Sequence, residues 1–191
     1  MMTTVPMDDH HDVVADHHRF AEVTVGAHLW QFDHLEAFAM RVPVELSPEK
    51  STDLDIVVLF SNHCFTRGLN PGEVVDDALI VMDGNEKRVL DKDRYELSRQ
   101  YLPRLIWELP KRHILVADHA RPSFVTFELP PLELGAEPVH YAVFFEVKKD
   151  RVRRKRMLLR VQSAYILDKP SKRLLKADKR RFQVILRRAY A

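Results

Sequence analysis

Two segments rich in β-branched and aromatic residues, Val139–Val147 (VHYAVFFEV) and Met157–Leu167 (MLLRVQSAYIL), flank the run KKDRVRRKR. Residues of this kind suit a pleated, half-buried surface, so both segments read as strands. The basic connector then becomes an exposed hairpin arm. This pattern constrains the chain most, because it demands a sheet and places strong charge at one end of it.

Other segments extend the sheet. Ala21–Leu46 alternates in places, with Val23 and Val25, then Phe38, Met40, Val42 and Val44. That period of two predicts strands, with Pro43 and Pro48 marking an edge or a strand end. Ile56–Phe60 is continuously apolar and predicts a strand buried on both faces. Ala78–Met82 and Lys87–Leu90 flank Asp83-Gly84-Asn85 and predict a hairpin, since glycine supplies the positive φ of the primed turns. Ile114–Val116, Phe124–Leu129 and Arg181–Leu186 are shorter strand candidates.

One stretch has helical spacing. Asp93-x-x-Glu96 has the form of a capping box, and Leu102, Leu105, Ile106 and Leu109 follow on one face. Pro103 predicts a kink or the start of a second short helix, and Pro110 an end. Tyr95 and Ser98 share the core-facing stripe and predict buried hydrogen bonds. The expected fold is α+β: a single domain, residues 21–191, with a mostly antiparallel sheet and one main helical segment packed on it. Residues 1–20, acidic and His-rich, are expected to be a disordered tail.

Charge is divided along the chain. Lys148–Ala191 carries 17 Lys/Arg against 3 Asp/Glu, while the first 147 residues carry 13 against 25. The formal net charge of +2 hides this split. A polyanion responds to the local field, so RNA or DNA is the first partner to consider. An acidic protein, or the chain's own acidic part, is the second. No apolar run approaches a membrane span, no signal-like apolar region opens the chain, and a lone cysteine, Cys64, forms no internal disulfide. A cytoplasmic location without membrane association follows as the expectation, with the oligomeric state open.

The candidate nucleic-acid-binding residues are Lys148, Lys149, Arg151, Arg153, Arg154, Lys155 and Arg156, supported by Lys172, Arg173, Lys176, Lys179, Arg180, Arg181, Arg187 and Arg188. Phosphate chemistry would draw on Arg160, Ser163 and Tyr165. Strict strand alternation puts Arg160 with Gln162 on one face and Ser163 with Tyr165 on the other. Histidine is the residue type suited to acid–base work at physiological pH, which makes His63, beside Cys64, a candidate, and Arg94 opens the helix. No zinc-type spacing and no Gly-rich phosphate loop is present, so no metal or cofactor is expected. The pairs His10-His11 and His17-His18 would chelate a metal only weakly as a tail.

The motifs Ser61-Asn62-His63-Cys64-Phe65-Thr66, Asp93-Arg94-Tyr95-Glu96-Leu97-Ser98 and Val161-Gln162-Ser163-Ala164-Tyr165 resemble a family of uncharacterised bacterial proteins over roughly residues 20–190. A looser resemblance in architecture and residue type is to the barnase, colicin and RelE-like ribonuclease toxins. It implies a metal-independent endoribonuclease using His63, Arg94, Arg160, Ser163 and Tyr165, although several strands here precede the helix. The alternative is a non-enzymatic interaction module that turns its basic face to an acidic partner.

Overall fold

The computed structural model describes residues 2–15, 20–116, 123–129, 139–167 and 178–191. Lys172, Arg173, Lys176, His17, His18 and the proline-rich 130–138 stretch lie outside the described residues. The first elements are β1 (Thr3–Val5), α1 (His11–Ala15), β2 (Val23–Val25), β3 (His28–Trp30), β4 (Phe38–Ser47) and β5 (Lys50–Phe60). Next come β6 (Thr66–Gly68), β7 (Ile80–Asp83), β8 (Glu86–Leu90) and the long helix α2 (Lys92–Glu108). The chain continues through β9 (His113–Val116), β10 (Ser123–Leu129), β11 (Val139–Lys149), β12 (Arg156–Leu167), β13 (Asp178–Arg181) and α3 (Phe182–Tyr190).

The architecture is α+β. Eight strands form one curled sheet in the order β1-β4-β5-β12-β11-β10-β9-β13. Its pairs are antiparallel except β5 with β12, which run parallel from Asp55 opposite Arg156 to Phe60 opposite Val161. A parallel central pair explains the unbroken apolar run in β5. Ile56, Val58 and Phe60 enter the main core, and Val57 and Leu59 enter a smaller cluster on the other face. β7 and β8 form the expected hairpin, with Gly84 at φ +59° in its turn.

The main core lies between the sheet and its two larger helices. Tyr95, Leu97, Leu102, Leu105 and Ile106 of α2 are buried there. Asp91, rather than Asp93, caps α2, its carboxylate accepting the Arg94 N–H at 2.9 Å. Asp91 is still extended, and helical geometry starts at Lys92, which makes it the residue poised to cap. Pro103 neither breaks α2 nor opens a new helix. Burial of Leu102, Leu105 and Ile106 around it offsets the one backbone hydrogen bond that proline forgoes. The expected polar contacts in the stripe are present. The Tyr95 hydroxyl donates to the Gln31 carbonyl at 3.0 Å, and Ser98 Oγ lies 2.9 Å from His34 Nε2.

One strand expectation is corrected. Arg181–Leu186 is not a strand: β13 stops at Arg181, and Phe182–Tyr190 is helical. Phe182 and Leu186 are buried one helical turn apart, with Ile185 and Ala189 packed beside them, a stripe visible only across the longer window. Within the N-terminal segment the described residues include β1 and α1. β1 adds to the sheet edge through Thr3–Arg41, Thr4–Met40 and Val5–Ala39 pairing, and Met7 and Val13 pack against the cluster of Val5, Ala39, Val57 and Leu59. A few apolar residues spaced among acids are enough to cover the small second face.

Two histidines tie stability to pH. Burial holds His34 down to about 4, with Arg99 nearby adding to the effect. Burial also lowers His10, helped by Arg156 and Arg153 and opposed by Asp55 and Asp9. Both folded values lie below the ordinary 6.5. Neutral histidine therefore favours the fold above pH ~6.5, and that stability is lost as pH falls through the lowered values. Urea unfolding between pH 7 and 4 is expected to show a declining free energy. The decline should be shallower in His34→Asn.

Candidate nucleic-acid interface

The β11–β12 hairpin is built around Asp150, the one acid in its basic run. Asp150 is buried; its backbone N–H donates to the Arg156 carbonyl at 3.0 Å, and its Oδ1 accepts the Val152 N–H at 2.8 Å. These bonds close the turn and hold residues 151–155 out in solvent. Arg156 does not join them. It is 2% exposed, with Nε donating to Asp150 and Nη1 and Nη2 each donating to Asp12 at 2.7 Å. The reason is its place in the sheet: Arg156 is the first residue of β12, opposite Asp55, and faces the smaller apolar cluster.

The other sequence candidates divide in the same way. Lys148 pairs with Glu146 at 2.9 Å. Lys149 donates to the Tyr190 carbonyl at 2.8 Å and sits over the Tyr190 ring. Arg153 donates to the Asp9 carbonyl and lies 3.5 Å from Asp12. Arg151, Arg154 and Lys155 are exposed and have no ion pair among the described residues. The Lys149–Tyr190 contact brings the end of α3 against the hairpin, so exposed Arg187 and Arg188 belong to the same end of the molecule. Arg180 pairs with Asp178, while Lys179 and Arg181 are exposed on β13.

The proposed catalytic residues lie elsewhere. A bulge at Gln162 shifts the β11–β12 register, so Arg160, Ser163 and Tyr165 oppose Glu146, Phe144 and Ala142. These three partners alternate on β11. Arg160, Ser163 and Tyr165 therefore share one face, in place of the split that strict alternation predicts. Tyr165 stacks on Phe144, with ring centroids 5.3 Å apart, and carries the Arg94 guanidinium 4.9 Å from its own centroid. Arg94 also donates to the Thr66 carbonyl at 2.9 Å and the His63 carbonyl at 3.3 Å. It thus joins α2, β12 and the 3₁₀ turn Asn62–Cys64.

The structure brings together the His63 backbone, Arg94 and Tyr165. The His63 ring turns away from them to Asp83, 2.6 Å from its carboxylate. Cys64 is fully buried, and burial pushes its thiol up to about 12, which leaves it protonated at neutral pH. A groove of about 570 Å³ opens beside Tyr165 and Arg94, but Asp91, Asp93 and Glu96 also line it. Arg156 and Tyr165 sit nine positions apart on β12, about 30 Å at the rise of a strand. The basic hairpin and the Arg94 groove are therefore at opposite ends of one strand.

Sequence reasoning missed Asp12 and Asp150, the acids that hold Arg156. Asp150 was detectable as an acid set within a basic run; Asp12, 144 residues from its partner, had no local signal. A family model, the YjaZ family, matches residues 22–190. The chain belongs to the YjaZ family. The match includes the hairpin, α3 and the Arg94 groove, and β1 and α1 precede it. No curated protein matches, nor does any solved structure. Among the described residues no helix is long and apolar enough to cross a membrane.

Proposed function

We propose that this YjaZ-family protein binds nucleic acid through backbone phosphates, using Arg151, Arg154 and Lys155 at the hairpin tip with Arg187 and Arg188 of α3. The observation that carries this reading is the set of unpaired hairpin cations joined to α3 through Lys149 and Tyr190. A protein interface generally has an apolar centre, and this face offers little of one. Of the exposed large hydrophobic residues among those described, Val152 belongs to this hairpin, and Leu29, Leu69, Val74 and Met82 belong to other segments. Phosphate recognition needs no such centre. Binding without strand cleavage is favoured, because the groove beside Tyr165 presents three carboxylates near one arginine and repels phosphate.

Titration of a labelled single-stranded RNA across a salt series tests this. Five cations predict a slope of log affinity on log salt of about −3.5, at ~0.7 per phosphate contacted. The variant Arg151→Ala/Arg154→Ala/Lys155→Ala should flatten the slope by about 2. Absence of binding at about 50 mM salt, or a slope unchanged in the variant, overturns the reading. Polyglutamate competing as well as unlabelled RNA would assign the face to an acidic protein instead.

A further inference from the structure

We propose that Arg156 and Arg153 form an anion site for a backbone phosphate of the bound strand, and that the N-terminal segment 2–15 closes this site by placing Asp12 in it. This rests on the nucleic-acid reading above and adds its regulation.

Three observations carry it. The first is the geometry at Arg156. Asp150 holds the Nε side, while Nη1 and Nη2 both point at the two oxygens of Asp12. A guanidinium fork binds a carboxylate or a phosphate in the same bidentate way, so Asp12 stands where a phosphate would. With Asp12 withdrawn, Asp150 still fixes the arginine and the outer fork becomes free. The second is continuity. Arg153, which lies between the exposed cations Arg151 and Arg154, also reaches Asp12, at 3.5 Å. Freeing it and Arg156 extends the hairpin surface without moving the sheet.

The third is how the segment is attached. β1 is three residues long, on the sheet edge, and among the described residues pairs with β4 alone. Its apolar cover consists of Val5 with Met7 and Val13, packed with Ala39, Val57 and Leu59 in the smaller cluster. His10 is buried beneath it, 4.0 Å from Asp55, and its ring nitrogens make no hydrogen bond among the described residues. Short edge strands with small apolar contacts open at low cost, whereas the central strands open only with the whole fold. Acids at Asp8, Asp9 and Asp12 also make the segment a competitor matched in sign to a polyanion.

Two measurements on the full-length chain test the proposal. Asp12→Ala should tighten binding of labelled single-stranded RNA about five- to tenfold and steepen its salt dependence by about 1. In the wild-type protein, saturating RNA should speed amide hydrogen exchange in peptides from residues 2–15. That readout needs no substitution and is not moved by a merely structural role. RNA binding with unchanged affinity in Asp12→Ala, or with exchange at 2–15 unchanged or slower, overturns the closure and leaves the nucleic-acid reading standing. Failure of both proteins to bind RNA at low salt removes that reading and the closure with it.

Discussion

Arg156→Ala is expected to lower the free energy of unfolding by about 3–5 kcal/mol. The size follows from what remains rather than from what is removed. Asp150 is 8% exposed, so without the guanidinium it becomes an uncompensated buried carboxylate at the base of the hairpin. Asp12 loses two hydrogen bonds at the same time, and its carboxyl, held well below the usual range chiefly by the bond to Arg156, returns toward an ordinary value. Arg156→Lys keeps the charge but cannot reach Asp150 and both Asp12 oxygens with one planar group, so an intermediate loss is expected. Urea denaturation of the three proteins at neutral pH measures this. A loss under about 1 kcal/mol for Arg156→Ala would mean that the buried network contributes nothing net.

The second large effect belongs to α3. Phe182 is fully buried, its ring 6.2 Å from that of Phe145. Truncation of such a ring leaves a cavity, and Phe182→Ala is expected to cost about 3–5 kcal/mol. Exposed Arg187→Ala on the same helix should change stability by less than about 0.5 kcal/mol while weakening RNA binding. The contrast separates the two faces of α3: one docks the helix, the other presents charge. Circular dichroism with thermal denaturation follows the first effect, and RNA titration the second. Equal, small stability changes for both variants would show that α3 is not docked through Phe182.

Much of the sheet was legible in the residues. Patterning predicted strands in Val139–Val147 and Met157–Leu167, the two-faced burial of Ile56–Phe60, and a turn at Gly84, because side-chain alternation and positive φ are local properties. Charge patterning marked the hairpin for the same reason. Errors arose where a second element decided the outcome. The capping box Asp93-x-x-Glu96 places the cap at Asp93, whereas the chain starts α2 after Asp91. The window Arg181–Leu186 is apolar enough to fit either period, and the stripe against the main core makes it helical. A single extra residue at Gln162 changes which side chains share a face, and nothing in the Val161–Tyr165 motif marks it.

The candidate catalytic set shows the limit most clearly. His63, Arg94 and Tyr165 do meet, but through a carbonyl, a guanidinium and a ring face, and the imidazole is given to Asp83. Arg94 links α2 to β12, to β6 and to the Asn62–Cys64 turn. Its hydrogen bonds to two backbone carbonyls, one in the turn and one in β6, account for an arginine at that helix position.

By itself the amino-acid order determined an α+β chain, a basic hairpin on a sheet and a divided charge. Each of these follows from neighbours within a few residues. Only the tertiary structure decided which cations remain available: it buried Arg156 against Asp12 and Asp150 and set Lys149 on Tyr190. It also left Arg151, Arg154 and Lys155 in solvent. The physical reason is that a charge is neutralised by what lies a few ångströms away in space, and Asp12 reaches Arg156 only after β4, β5 and β12 have assembled the surface between them.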